Sequence, residues 1–246
     1  MSRRYAGDDA DLDELTRRFD QVQLAFGPHP STYTGRVLQA LSGVPARHGE
    51  TGGGTCLVEL GCGTATALAE VTSRDSRVRC VGVEADPVLL RLAQRRRGVD
   101  VVEGDFRGQT WLRSTGLTPG QIDVVLAARA LHYPDPDEVA GTYDYLGRWL
   151  RVGGMLVNAD RFPDDPDAEP SATGRAALAA WSQWWVAARS CPALAEAFHA
   201  RDGRAPLETG NRLTATDHVR LLQSAAFSAV QVVDLGGGDM LVIATR

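Results

Sequence analysis

No lysine occurs anywhere in the 246 residues, so all 26 basic side chains are arginine. That absence excludes a lysine Schiff base, a phosphate-loop lysine and a lysine general base outright. Cysteine is sparse. The four thiols, Cys56, Cys62, Cys80 and Cys191, fall singly with no Cys-x-x-Cys pair, which argues against a metal site built on them and suits reduced, buried thiols. No apolar run approaches the length of a membrane span, and the stretch from Met1 to Asp9 has no apolar core of signal-peptide type, so the expected location is the cytoplasm. Excess positive charge is also missing: 26 basic against 31 acidic residues leave a net charge of −5, which argues against a nucleic-acid backbone as substrate. The run Arg95-Arg96-Arg97 reads as the solvated end of a helix, where cations complement the helix dipole. The hydrophobic fraction of 43% and charged fraction of 23% are those of an ordinary globular chain, one long enough to bury a full core.

What is present is concentrated in Leu57-Val58-Glu59-Leu60-Gly61-Cys62-Gly63-Thr64-Ala65-Thr66, an apolar run that meets an acid, then two glycines, then a helix-forming stretch. Gly61 and Gly63 let the backbone turn sharply and approach a ligand, while the first free N–H groups of the next helix favour negative charge. Glu59 adds an acceptor beside them, so the turn suits a ligand carrying both an ammonium and a carboxylate. Cys62, between the glycines, reads as a spacer. A second apolar run, Val78 to Val83, ends in Glu84-Ala85-Asp86-Pro87. Glu84 follows the glycines by roughly 20 residues, the spacing at which a carboxylate meets the hydroxyls of a ribose. A third run, Val99 to Val102, leads into Glu103-Gly104-Asp105-Phe106, and a fourth spans Ile122 to Ala128. Each motif alone has a plainer reading: a tight turn, a solvated strand end, a helix cap, a core ring. Their order, each at a strand end with βαβ spacing, favours one ligand site.

Taken together, Val58–Thr64, Gly82–Asp86, Gly104–Phe106 and Arg151–Val157 resemble the class I S-adenosylmethionine-dependent methyltransferases. The likeness covers residues 55–160 and, by pattern, 214–246. It implies that Glu59, Gly61, Cys62 and Gly63 hold the methionine part of S-adenosylmethionine, that Glu84 with Ala85 holds the ribose, and that Asp105 and Phe106 frame the adenine. Ala65 departs from the family, which often has a third glycine there. In similar enzymes an N-terminal helix folds over the methionine end of the cofactor. Tyr33 and Arg36 lie on that helix here, with Arg36 either pairing with the cofactor carboxylate or lying on the surface.

The expected fold is α/β: a Rossmann-like, doubly wound, mostly parallel seven-stranded sheet closed by a C-terminal antiparallel hairpin, with N-terminal helices and a helical lid insertion. One domain is expected over 1–246, divided into an arm (1–45), a cofactor-binding core (55–160), an insertion (161–212) and a last helix with the hairpin (213–246). Apolar spacing at Leu12, Leu15, Phe19, Val22 and Phe26 predicts a helix over 11–26 that the Gly27-Pro28-His29-Pro30 cluster ends, and a second helix is predicted over 32–41. Pro45 to Gly54 reads as a linker, and 88–97 and 137–150 as crossover helices. The insertion opens with an acidic, proline-broken loop at 160–167. Within it, 175–188 reads as a helix with Trp181, Trp184 and Trp185 on one face. That face either packs on the core or closes as a lid over an apolar or aromatic substrate. A helix from Thr214 to near Ala226 and strands 230–235 and 240–244 complete the pattern.

The function these readings imply is methyl transfer to an O, N or C atom of a small, aromatic or natural-product-like molecule. An alternative keeps the cofactor but uses it to promote cyclisation or pericyclic chemistry. A nicotinamide oxidoreductase is disfavoured by Glu59, the Asp105-Phe106 pair and the hairpin. The candidate general base is His132, which follows the fourth strand at the carboxyl edge of the sheet; His29 and His199 lie in unmatched segments and read as surface residues. Ala127-Ala128-Arg129-Ala130 lacks the Asn/Asp-Pro-Pro-aromatic signature for nucleobase or glutamine amines. The expected partner is a small-molecule substrate, with no nucleic acid and no membrane, and a homodimer stays open.

Overall fold

A computed structural model describes residues 6–43, 54–162, 172–203 and 211–246. The N-terminal stretch 1–5, all of the expected linker but Gly54, and the acidic loop from 163 onward lie outside the described residues. A seven-stranded sheet has the order β3-β2-β1-β4-β5-β7-β6. β1 (Cys56–Leu60), β2 (Arg79–Glu84), β3 (Val99–Glu103), β4 (Ile122–Ala128) and β5 (Leu150–Arg161) run parallel, while β7 (Asp239–Thr245) and β6 (Ala229–Gly236) form the antiparallel hairpin. All residues of β1 and β4 are buried, as central strands covered on both faces require.

Alternation along the strands splits the core in two. Val58 and Leu60 face α5 (Thr110–Thr115), α6 (Pro136–Trp149) and α9 (Ala215–Ser224), burying Trp111, Tyr143, Tyr145 and Leu222. Leu57 faces the other way, onto α2 (Pro30–Ser42) and α3 (Thr66–Arg74), with Tyr33, Val37, Leu68 and Val71. Helix starts follow local chemistry. The Asp86 carboxylate accepts from Val88 N and Leu89 N to cap α4 (Pro87–Ala93), with proline at its first position; Thr214 and Asp217 form a capping box on α9.

A third cluster joins α1 (Ala6–Gln23), α4, α7 (Ala172–Arg189) and α8 (Ala195–Asp202) through Leu12, Leu15, Phe19, Val88, Leu92, Trp184 and Phe198. α1 begins and ends earlier than its apolar spacing predicted, and the chain turns through 24–29 before α2. α4 is shorter than predicted, ending at Ala93, and α5 and α8 carry no apolar period long enough to be read from sequence. The arginine run is a solvated helix end only at Arg97, which is exposed. Arg95 pairs with Asp9 (2.6 Å) and Asp13 (2.8 Å), and Arg96 pairs with Asp20 (2.8 Å) while donating to Thr64 O (3.0 Å). Arg95 thus ties α1 to the end of α4, and Arg96 ties α1 to the glycine turn.

Candidate active site

Strand order reverses between β1 and β4, and at their carboxyl ends lies a cleft of about 850 Å³. Its walls include Glu59, Gly61, Cys62, Gly63, Glu84, Ala85, Asp105, Phe106 and Tyr33, so every cofactor residue expected from the sequence except Arg36 is brought to one place. Arg36 lies on the exposed face of α2 and is not part of the wall. The cation at that end of the cleft is Arg129, just past β4.

The glycine turn is shaped by left-handed backbone. Gly61 (φ +61°) and Gly63 (φ +57°) need that freedom, and a Cβ on Gly61 would stand 2.9 Å from Ala130 Cβ. Ala65 takes the same conformation (φ +57°), so the family's third glycine is replaced by a residue that bears a strain of about 1 kcal/mol there. Cys62 is buried, with its Sγ 2.7 Å from where a Cβ on Gly82 would lie; it fills the gap under the turn. Burial, with Glu84 and Glu59 nearby, pushes its thiol well above the ordinary range, so it is an inert spacer.

The two glutamates differ. Glu84 is satisfied by protein: its carboxylate accepts from Gly63 N (2.7 Å) and Asp86 N (2.8 Å). Burial nonetheless pushes it up to about 7. Glu59 is only 3% exposed, and its Oε2 has no hydrogen-bond partner. Desolvation pushes it up to about 8, with Arg129 opposing and Glu84 adding to the shift. An unpaired buried carboxylate oxygen in a cleft wall is a costly arrangement unless a cationic donor completes it.

At the far end Asp105 is gripped by Arg107, which donates from Nε at 2.9 Å and from its backbone N at 3.0 Å. Partial burial opposes ionisation of Asp105, but these bonds outweigh it and hold the carboxyl below its usual range. Phe106 lies against the Gly61 turn, and its carbonyl accepts from Tyr145 Oη (2.5 Å). The tryptophan face divides between core and cleft. Trp184 is buried and donates from Nε1 to Leu15 O (2.8 Å), pinning α7 to α1, whereas Trp181 and Trp185 line the cleft beside Phe19. Arg201 stacks over Trp185 at 4.2 Å and pairs with Asp86 at 2.6 Å.

His132 does not line this cleft. With Asp160, Phe162, Asn211 and His218 it lines a smaller pocket of about 210 Å³, and its ring lies 4.3 Å from that of Tyr133, which does line the cleft. Its Nδ1 is 2.8 Å from buried Asp160 Oδ2. Asn211 holds the loop by donating to Leu131 O (2.7 Å) and Pro134 O (2.6 Å). His218, its Nδ1 2.7 Å from Tyr143 Oη, is pushed by burial down to about 4 and is a neutral wall residue. Of the other histidines, His29 lines the cleft but caps α2, and His199 is exposed on α8. Sequence reasoning passed over Arg129, Arg107, Arg201 and Asp160. For Asp160 a signal existed, since an acid at the end of the fifth strand lies on the ligand-binding edge.

A family model described as a methyltransferase domain matches residues 57–154. That stretch matches a methyltransferase domain, and the sheet around it has the class I, Rossmann-like methyltransferase fold. The methyltransferase sheet is shared with the CurJ carbon methyltransferase (16% identity over 92% of this chain and 57% of that one, TM-score 0.59). It is shared as well with human N-acetylserotonin methyltransferase in complex with S-adenosylmethionine (18%, 78% and 47%, TM-score 0.51) and an O-methyltransferase family protein from Burkholderia thailandensis (15%, 89% and 59%, TM-score 0.51). At these identities the likeness is one of fold, and the chain spans about half the length of those proteins. No curated protein matches its sequence. S-adenosylmethionine is the cofactor of this family, and the cleft fits it: the unpaired Glu59 oxygen calls for a cation, and the Gly61–Gly63 turn puts bare backbone in the wall. Among the described residues no helix is long and apolar enough to cross a membrane, and no cluster of acids, histidines and thiols could hold a metal ion.

Proposed function

We propose that the chain moves the methyl group of S-adenosylmethionine to an O, N or C atom of a small, aromatic natural-product-like molecule. The observation that carries this reading is the buried Glu59 Oε2, without a hydrogen-bond partner in a cleft that Glu84, Asp105 and Phe106 also line. When bound, the cofactor supplies a methyl group already activated by its sulfonium. The protein's work is then alignment and exclusion of water. Glu59 meets the ammonium, Glu84 the ribose hydroxyls, and Phe106 the adenine face, with Asp105 beside it. Phe19, Trp181 and Trp185 roof the cleft and exclude water.

His132 serves as the base for an acceptor that must lose a proton. Asp160 accepts from Nδ1, which fixes the tautomer and leaves Nε2 as the proton acceptor. The acceptor would occupy the smaller pocket lined by His132, whose ring lies beside that of Tyr133 in the cleft wall. The domain acts as one unit on a small molecule rather than on a nucleic acid or membrane.

The test is turnover with a panel of phenols, amines and activated carbon acids, with S-adenosylhomocysteine and methylated product quantified together. One-to-one formation supports transfer. Product formed without S-adenosylhomocysteine would replace it with cofactor-assisted rearrangement. For an O-methylated substrate, His132→Ala should lower kcat by about 10²-fold or more, the usual scale of a lost general base; an unchanged rate would make His132 a wall residue.

A further inference from the structure

We propose that Arg129, paired with Glu59, is the receptor for the α-carboxylate of the bound cofactor, and that the two residues together select ligands carrying the intact amino acid. The inference rests on the proposed cofactor reading and adds to it a residue that no motif marks. Glu59 sits on β1 and Arg129 follows β4, and the two strands are hydrogen-bonded neighbours with Glu59 opposite Leu126 and Leu60 opposite Ala127. An acid and a base on adjacent strands, at one edge, meet a ligand whose ammonium and carboxylate share a single carbon.

Arg129 is held in place for such a role. Its backbone is left-handed (φ +55°), a conformation that disfavours a long side chain and that glycine would adopt freely. Strain of this kind collects at ligand sites. Its Nε donates to Gln23 Oε1 (3.0 Å), its Nη1 to Pro28 O (3.3 Å), and the buried Tyr33 hydroxyl lies within reach of its guanidinium. A guanidinium carries more donors than these contacts use, and its planar fork matches a carboxylate. The other arginines in the wall are committed elsewhere: Arg107 to Asp105, and Arg201 to Asp86. A phosphate would meet Glu59 and Glu84 as well as Arg129, so the site suits one negative charge beside one positive charge.

The experiment compares two ligands by calorimetry: S-adenosylhomocysteine and 5′-methylthioadenosine, a nucleoside thioether without the amino acid. Arg129→Asn keeps a residue that tolerates left-handed backbone. It should weaken S-adenosylhomocysteine at least about tenfold, the scale of a lost charge-assisted pair, while 5′-methylthioadenosine changes less than about twofold. Arg129→Lys, which keeps the charge and loses the fork, should fall between, and it serves as the test if the asparagine variant shows no cooperative melting. Equal weakening of both ligands by Arg129→Asn would make Arg129 a structural tie and overturn the proposal. If wild-type protein binds neither ligand, the cofactor reading itself falls.

Discussion

On the proposed cofactor reading, Glu59 and Glu84 make binding an acid–base event. In the free protein burial pushes Glu59 up to about 8, so at neutral pH it is mostly protonated, and a cationic ammonium must meet it as a carboxylate. The ionised fraction falls from about half at pH 8 to about 1% at pH 6, and an affinity that depends on that fraction falls about 50-fold, or about 2.3 kcal/mol. Glu84, pushed up to about 7, steepens the fall where it too must ionise. At pH 7 binding of S-adenosylhomocysteine should therefore release about one proton or somewhat more. Calorimetry in phosphate and in Tris, whose ionisation heats differ, counts those protons directly. Glu59→Gln should abolish most of the release, and because the ligand's own amine titrates alike in both proteins, the difference isolates the side chain. No proton release together with an affinity flat between pH 6 and pH 8 would show that Glu59 does not receive the ammonium.

The same glutamate should set the pH dependence of the ligand-free fold. A carboxyl raised from 4.5 to about 8 binds a proton in the folded state that the unfolded chain has shed, so its contribution falls as pH rises through that window. Glu84, raised from 4.5 to about 7, acts in the same sense. His218, lowered from 6.5 to about 4, acts in the opposite sense, with only about 0.4 kcal/mol of its effect left above pH 6.5. Between pH 6.5 and pH 8 stability should drop by about 2 kcal/mol and the melting temperature by a few degrees, and Glu59→Gln should remove most of that slope; a rise over that interval contradicts the reasoning. Trp184→Ala removes a buried ring and its bond to Leu15 O, and urea denaturation should show a loss of about 3 to 5 kcal/mol; a loss under about 1 kcal/mol would mean that α1 is held mainly by charge. Gly61→Ala should reduce cofactor affinity more than Gly63→Ala, because its Cβ would stand 2.9 Å from Ala130 Cβ whereas that of Gly63 meets Phe19 at an ordinary 3.5 Å, and equal effects would rule out crowding as the cause.

What the sequence disclosed was whatever short-range pattern determines. Strands β1 to β5 and the hairpin followed from apolar runs between punctuating glycines, acids and prolines, and Glu59, Gly61, Gly63, Glu84, Asp105 and Phe106 followed because each is fixed to a strand end. Pairing across long separations was hidden. Arg95 reaches Asp9 and Arg201 reaches Asp86, and no local period reports either contact. Side-chain direction was hidden as well. Arg36 was the cation expected near the methionine end, and the turn of α2 sends it to the surface, while Arg129 lines the cleft. His132 was placed correctly at the sheet edge, yet its bond to Asp160 draws it into the neighbouring pocket. The three tryptophans shared a face without sharing a role, because the packing of α1 buries Trp184 and leaves its two neighbours at the cleft.

The arm is secured by two unlike fastenings, and salt acts on them differently. The pairs from Arg95 to Asp9 and Asp13 are partly wetted, so mobile ions weaken them, whereas the indole of Trp184 sits dry and is held harder by ions that are excluded from protein surfaces. Chloride should loosen the hold on α1 and sulfate should tighten it at equal ionic strength, so the firmness of the arm becomes a property of the electrolyte as much as of the sequence.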